Sequence, residues 1–150
     1  MEIVKEFQGE YRFLSNFWPA PLVYRGIRYP SSEHAFQAAK VGEHPKWDML
    51  KMNLAQIQSP GEVKRVARTL RLRPNWEEKK VSIMREIVLA KFTQNEELGR
   101  KLVKTGSAVL QEGNYWGDTF WGICKGKGGN WLGRILMEVR EELQAKQKAA

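Results

Sequence analysis

The sequence predicts a mainly helical α+β fold with a few short strands, formed by a single domain over residues 1–150. Three observations carry this prediction. Helical patterns fill the middle of the chain, strand-like pieces flank them on both sides, and no internal repeat or long linker divides the sequence. A chain of 150 residues is also a usual size for one domain and is long enough to bury a core.

The N-terminal part of the chain contains the first strand-like pieces. The segments at 3–17 and 21–30 combine apolar and aromatic residues with turn residues, among them Gly9, Pro21 and Gly26. We therefore expect short strands separated by turns before the first helix.

A helix is predicted over about 32–41. The hydroxyls of Ser31 and Ser32 can cap the free N–H groups of its first turn. Phe36 and Ala39 share one stripe of this helix, which suits burial.

A second stripe of the same helix is polar. Glu33, Gln37 and Lys40 are separated by four and three residues, so their side chains lie on one face. A solvated helix whose acidic first turn complements the helix dipole would have the same pattern. The stripe alone does not decide between a surface and a site.

Four further helices are expected before residue 107, and the pairs Ser59/Glu62 and Asn75/Glu78 have the spacing of a capping box. The helices are expected over 46–57, from Pro60 toward Leu70, over 76–92, and over 95–106 with Gly106 as the stop. In the long third one, apolar residues recur at three- and four-residue steps: Val81, Met84, Val88 and Phe92.

The C-terminal part is expected to contain strand-like pieces at 108–113 and 117–123, a glycine-rich loop, and a last helix from near Asn130. The last helix should bury Leu132, Leu136, Val139 and Leu143. Its polar end, about 144–150, is expected to fray.

Composition limits the function classes. The formal net charge of +8 favours anionic partners such as phosphorylated metabolites, nucleotides or nucleic acid. The single cysteine, Cys124, cannot form an internal disulfide, which favours a reducing compartment. No stretch is long and apolar enough for a membrane span or a signal peptide, so we expect a soluble cytoplasmic protein without a membrane partner.

Several common site motifs are absent from the sequence. There is no Walker loop, no GxGxxG, no HExxH and no paired CxxC, and neither His34 nor His44 has a nucleophile elbow beside it. The glycine-rich stretch at 126–130 could hold a phosphate through its backbone N–H groups, or it could be an ordinary connection. We expect no cofactor and no metal ion.

A carboxylate among aromatic rings is the most informative local feature. Asp118 is followed by Phe120 and Trp121 and stands in a glycine-rich region that holds further tryptophans, including Trp116. Partial desolvation suits a carboxylate to proton transfer, and an indole ring can stack on a base. Together with Glu33, these are the parts needed to cleave a glycosidic bond to a base. A turn aspartate and a core tryptophan remain the alternatives.

Three long segments resemble the NADAR (YbiA-like) N-glycosidase family. They are FLSNFWPAPLVYRGIRYPSSEHAFQAAK at 13–40, ARTLRLRPNWEEKKVSIMREIVLAKFTQNEEL at 67–98 and LQEGNYWGDTFWGICKGKGGNWLGRILMEVR at 110–140. They cover nearly the whole chain in the family's order. The resemblance implies a compact, mainly helical fold, a cleft for ribose-phosphate or ADP-ribose compounds, and N-glycosidase activity.

The resemblance also implies site residues. The family's essential glutamate falls on Glu33, and the acid and aromatic of its D..WG element fall on Asp118 and Trp121. Glu33 would polarise water or stabilise the ribosyl cation, and Asp118 would position sugar hydroxyls or assist proton transfer, with the two roles exchangeable. The other positions predicted to bind substrate are Asn16, Phe17, Gln37, Trp76, Lys91 and Asn130.

Three functions remain open at this point. The substrate is expected to be a phosphorylated ribosyl compound, such as the ribosylamino-pyrimidine phosphates of riboflavin synthesis. The first alternative is removal of ADP-ribose from guanine in DNA. The second is a non-catalytic module that binds ADP-ribose or nucleic acid. No obligate protein partner is evident from the sequence.

Overall fold

The structure is a computed structural model that describes residues 2–150. Within that range, six α-helices accompany six strands of two or three residues, which confirms the mainly helical α+β class. The strands are β1 (Ile3–Val4), β2 (Leu22–Tyr24), β3 (Ile27–Tyr29), β4 (Val109–Leu110), β5 (Gly113–Asn114) and β6 (Ile123–Cys124). The helices are α1 (Ser32–Ala39), α2 (Asp48–Ala55), α3 (Pro60–Ala67), α4 (Trp76–Gln94), α5 (Glu96–Lys104) and α6 (Trp131–Ala149).

The residues form two compact units. One unit is Asn16–Gln94, and the other combines the chain up to Ser15 with Asn95–Ala150. No helix within residues 2–150 has the length and apolar character needed to cross a bilayer.

Helix α1 is the centre of the unit formed by Asn16–Gln94. Every residue from Ser31 to Ala39 is buried, and α1 packs against α2, α3, α4 and β3. The alanines of this helix are therefore explained by close packing on several sides, because Ala35 and Ala38 have no exposed surface. The Ser31 side chain accepts a hydrogen bond from the His34 N–H, so the predicted cap is confirmed.

The hairpin of β2 and β3 lies beside this helical group. The strands pair antiparallel with Leu22 opposite Tyr29, and the turn residues Arg25 and Gly26 both have positive φ angles, of 49° and 83°. Gln94, the last residue of α4, accepts a hydrogen bond from the Val23 N–H at 2.7 Å and donates one to its carbonyl at 2.9 Å. The end of α4 is thereby fixed to the hairpin.

The other helices of this unit follow the predicted starts more closely than the predicted ends. Helix α3 begins at Pro60, and the Ser59 side chain accepts a hydrogen bond from the Glu62 N–H at 3.1 Å. Helix α2 is shorter than expected, because residues Pro45–Trp47 form a separate 3₁₀ turn before it. In α4, Met84, Val88 and Phe92 are buried as predicted, but Val81 is only half-buried.

The second unit is built around α6, which packs against α5 and β4. Strand β1 pairs in parallel with β4, and β5 pairs in parallel with β6. The fully buried side chains in this unit include Leu14, Leu102, Leu110, Ile135 and Leu136.

Several strand predictions were too long. Between residues 3 and 17, only Ile3–Val4 is a strand, and Gly9–Leu14 forms a 3₁₀ helix that begins at a glycine with φ of 58°. In the 117–123 piece, only Ile123 belongs to a strand; residues 117–119 have no regular secondary structure, and residues 120–122 form a bend.

The C-terminal helix runs further than its composition suggested. Helix α6 continues to Ala149, and the Gln144 amide donates a hydrogen bond to the Gly106 carbonyl at 3.0 Å. Leu143 is half-buried, not buried. The residues from 145 onward are exposed, and their fraying stays a prediction.

Candidate active site

Glu33 stands in the first turn of α1 with only 7% of its surface exposed. Its N–H donates to the Asn16 carbonyl at 3.1 Å. Gln37, one turn later, donates from Nε2 to Glu33 Oε2 at 2.5 Å, which confirms that the two side chains share a stripe. Both the backbone and the carboxylate of Glu33 are therefore held in place.

Gln37 is only 2% exposed, and the oxygen of its side-chain amide has no hydrogen-bond partner. Gln37 Oε1 accepts no hydrogen bond from any residue in the range 2–150. An ionised carboxylate only accepts hydrogen bonds, so Gln37 must turn its nitrogen toward Glu33 and leave its oxygen on the other side. The amide orientation is thus set by Glu33.

Asn16 fixes the start of α1. Its Oδ1 accepts from the Ser32 hydroxyl at 2.9 Å, and its Nδ2 donates to the Met84 sulfur at 3.5 Å. With only 8% of its surface exposed, its amide is committed to contacts within the protein. The predicted contact of Asn16 with substrate stays a prediction.

The polar stripe of α1 ends among basic side chains. Burial lowers the pKa of Lys40, the Glu33 carboxylate raises it, and three further cations lower it. Those cations are Lys64, Arg68 and Lys80. Three basic groups therefore act on Lys40, at the end of the stripe that carries Glu33.

The two aromatic residues predicted for this unit differ in exposure. Phe17 has 44% of its surface exposed, and the Lys64 ammonium lies 5.9 Å from its ring centroid. Trp76 is 6% exposed and packs against Phe36 with the ring centroids 5.2 Å apart. Phe17 has an exposed ring, whereas Trp76 packs on α1 through Phe36, and the predicted contacts of both with substrate stay predictions. Lys91 is 1% exposed, and its role stays a prediction.

His34 is a structural feature that the sequence did not reveal. Its Nε2 lies 2.7 Å from the Ile57 carbonyl, and its Nδ1 lies 2.7 Å from the Ser31 hydroxyl. Because a carbonyl oxygen only accepts, Nε2 carries the proton and the Ser31 hydroxyl donates to Nδ1. Burial lowers the pKa of His34 and favours this neutral form. The ring therefore ties the first turn of α1 to the residues that follow α2.

Asp118 lies in the second unit and has the geometry of a turn aspartate. Its Oδ1 accepts from the N–H groups of Phe120 at 3.1 Å and Trp121 at 2.9 Å. The Asn114 side chain accepts from the Asp118 N–H at 3.0 Å and donates to its carbonyl at 2.9 Å. This is one of the two alternatives that the sequence left open, and a catalytic role for Asp118 stays a prediction.

Aromatic rings gather around this turn. Phe120 meets Trp121 edge-on at 4.8 Å between centroids and stacks on Trp131 at 6.3 Å. The Arg134 guanidinium lies 4.8 Å from the Trp131 ring centroid. The structure therefore brings Asp118 and Trp121 together, within an aromatic group that is half-exposed.

Asn130 joins the start of α6 to β4. Its Oδ1 accepts from the Glu112 N–H and its Nδ2 donates to the Leu110 carbonyl, both at 2.9 Å. Its φ of 53° lies in the left-handed region, which asparagine tolerates better than most residues. The amide is committed to the fold, so the predicted place of Asn130 near phosphates stays a prediction.

The backbone beside Asn130 does not support the phosphate-loop hypothesis for 126–130. The N–H groups of Lys127, Gly129 and Asn130 donate to carbonyls at 3.0, 2.8 and 3.3 Å. The first residues of α6 do the same: the N–H groups of Trp131 and Leu132 donate to the carbonyls of Phe120 and Trp121. These donors are therefore already used by carbonyl groups at 119–124.

The predicted site residues divide between the two units. Asn16, Phe17, Glu33, Gln37, Trp76 and Lys91 belong to one, and Asp118, Trp121 and Asn130 belong to the other. Over residues 2–150, His, Cys, Asp and Glu side chains form no group of three that could hold a metal ion.

Comparison with known proteins identifies the family. The sequence profile described as the NADAR domain matches residues 4–144. The chain belongs to the NADAR domain family. The earlier resemblance is therefore confirmed.

Named relatives of this NADAR domain include enzymes. It is 38% identical over 140 residues to N-glycosidase YbiA of Escherichia coli, and the match covers 89% of this chain and 82% of that protein. It is 37% identical over 138 residues to an N-glycosidase of Nostoc punctiforme. It is 39% identical over 135 residues to a riboflavin biosynthesis protein of Vibrio vulnificus, of which the match covers only 35%.

A solved structure agrees with the NADAR assignment. The NMR structure of E. coli YbiA superposes with a TM-score of 0.85 at 34% identity, covering 99% of this chain and 89% of the other. The mainly helical fold with short strands is shared by the two proteins.

Proposed function

We propose that this NADAR domain is an N-glycosidase that hydrolyses the bond between a base and a phosphorylated ribose or ADP-ribose. The observation that carries the proposal is Glu33, a largely buried carboxylate held by Gln37 at the start of the central helix. The N-glycosidase names of relatives at 37% and 38% identity support the same activity. The cytoplasmic location predicted from the sequence belongs to this proposal.

In the proposed reaction, the bond from sugar C1 to the base nitrogen breaks, a water oxygen bonds to C1, and a proton reaches the departing nitrogen. The carboxylate of Glu33 stabilises positive charge at C1 and orients the water. Gln37 keeps that carboxylate in one rotamer, so no reorganisation is needed as charge develops. Phe17 offers an exposed ring for stacking by the base.

The basic side chains near Lys40 match the charge of the substrate. Lys64, Arg68 and Lys80 each act electrostatically on Lys40. Ammonium and guanidinium groups bind phosphate oxygens through charge-assisted hydrogen bonds. They would attract the phosphate or diphosphate of the substrate toward α1.

Asp118 and Trp121 are proposed on a different basis. Their roles rest on the D..WG element of the family. Asp118 Oδ1 is used by the turn, and Oδ2 accepts no hydrogen bond from any residue between 2 and 150. A sugar hydroxyl could still be bound by that oxygen. Asp118→Asn tests this role apart from Glu33.

The first substrate candidate is a ribosylamino-pyrimidine phosphate, since relatives are named riboflavin biosynthesis proteins. The second is ADP-ribosylated guanine in DNA, and the net charge of +8 is compatible with either anionic substrate. Release of the base would be measured by mass spectrometry with each of the two substrates. Release from either supports the N-glycosidase proposal and identifies the substrate. Tight binding of both without base release would contradict it and favour a binding module.

A further inference from the structure

A pocket in the unit Asn16–Gln94 is lined by charged side chains that the proposed reaction does not use. It is a small, open pocket between the β2–β3 hairpin, the end of α1 and α2. Arg25, Tyr29, Glu43, Lys51 and Arg73 contribute its polar groups. Glu33 and Gln37 are not among the residues that line it.

Lys51 is the group in this pocket that needs an explanation. Its side chain lies on α2, only 7% of the residue is exposed, and its ammonium makes no hydrogen bond or ion pair with residues 2–150. A buried ammonium is normally paired, because removing it from water costs several kcal/mol. Burial accordingly lowers the pKa of Lys51.

Tyr29 supplies a second unused donor. It is 2% exposed, and its hydroxyl has no hydrogen-bond partner in the described chain. Within residues 2–150, the fully enclosed side-chain polar atoms without a partner are Gln37 Oε1 and Glu112 Oε2. The Tyr29 hydroxyl and the Lys51 ammonium lack partners but are not fully enclosed. Both donors belong to residues that line the pocket.

Two carboxylates of this region are already paired with arginines. Glu43 is bound by Arg25 at 3.2 Å and by Arg73 at 3.6 Å, and Glu86 is bound by Arg25 at 3.2 Å. Asp48 also interacts with Lys51 electrostatically, but it is exposed and forms no ion pair with it. The positive charge that lacks a direct partner in the pocket belongs to Lys51.

We propose that this pocket is a second anion site, in which Lys51, Tyr29 and Arg73 bind a tetrahedral oxyanion such as a phosphate group. An ammonium, a phenol and a guanidinium provide donors for several oxygens of one small anion. The pocket is small and open to solvent, so the anion bound at its mouth is inorganic phosphate or the phosphate end of a small ester.

The test is a heteronuclear NMR titration of the intact chain with sodium phosphate against sodium chloride at matched ionic strength. Saturable shifts are expected at the amides of residues 29, 51 and 73. The affinity for phosphate should fall about tenfold in Lys51→Met and be unchanged in Lys46→Met. Lys46 is an exposed lysine that precedes α2. Ribose 5-phosphate and free ribose would then show whether the anion is bound alone or as an ester.

Two further measurements keep the outcome clear if a variant is unstable. Removal of an unpartnered buried charge should leave the melting temperature of Lys51→Met unchanged or higher in the absence of phosphate, and phosphate should raise the melting temperature of the wild type more than that of Lys51→Met. Glu33→Gln should retain the phosphate shifts, because it does not line the pocket. Shifts that never saturate, persist in Lys51→Met or vanish in Glu33→Gln would overturn the proposal.

Discussion

Gln37 holds the Glu33 carboxylate through one hydrogen bond, at 2.5 Å between Nε2 and Oε2. Gln37→Leu removes the donor and the unpartnered oxygen together. We expect kcat to fall about tenfold or more with little change in KM, because the hydrogen bond that positions the charged group contributes about 1.5–3 kcal/mol. The melting temperature should change little, because the variant also removes a buried oxygen that has no partner. The measurement is steady-state base release beside thermal unfolding.

Gln58→Leu is the matched control, because Gln58 is exposed and follows α2. A Gln37→Leu variant with unchanged kcat would show that Glu33 does not depend on this contact.

His34 predicts how stability depends on pH. Burial lowers its pKa in the folded chain, whereas the unfolded chain has the ordinary value of about 6.5. Below about pH 6.5 the unfolded chain therefore binds a proton that the folded chain does not, so stability falls as pH decreases. Urea unfolding between pH 7.5 and pH 5 would be compared for wild type and His34→Gln. An identical slope for both proteins would contradict the assignment.

At the scale of elements, the helix starts were readable because their signals are local. A serine cap, a proline and a glutamate lie within four residues of one another at the start of α3. The exact bounds of the strands could not be predicted from the sequence, because β1 pairs with β4, which lies more than a hundred residues away in the chain. A two-residue strand depends on its partner more than on its own sequence.

The site divides in the same way. The stripe of Glu33 and Gln37 follows from helical spacing, and the structure confirms it. The partner of His34 is Ile57, 23 positions away, and the partner of Asn130 is Leu110, 20 positions away. Sequence spacing within one element cannot show such contacts.

Two glycines in helices test the packing of the elements. A Cβ at Gly133 of α6 would overlap with the Leu110 carbonyl oxygen and the Asn130 amide, whereas at Gly61 of α3 the nearest atom is a Phe17 ring carbon at 3.9 Å. We expect Gly133→Ala to destabilise by about 1–3 kcal/mol or more. We expect Gly61→Ala to be neutral or stabilising by up to about 1 kcal/mol. Chemical unfolding measures both, and a tolerated Gly133→Ala would contradict the close approach of α6 to β4.

At the scale of the whole molecule, the net charge of +8 predicts a difference between the two substrate candidates. Binding to a DNA strand releases counterions, so KM for ADP-ribosylated DNA should rise steeply with salt. KM for a small ribosyl phosphate should change much less, because fewer charges are neutralised. Activity on each substrate between about 50 and 200 mM salt gives the comparison. Equal salt dependence for the two would argue against engagement of a DNA strand.

The most direct test of the account is base release by Glu33→Gln, with Glu62→Gln as the control. Glu62 is an exposed glutamate in the first turn of α3, in the same unit. We expect Glu33→Gln to lose at least about a hundredfold in kcat while it still binds product ribose phosphate, and Glu62→Gln to retain wild-type activity. Release by Glu33→Gln at the wild-type rate would contradict the assignment of Glu33 to the reacting centre.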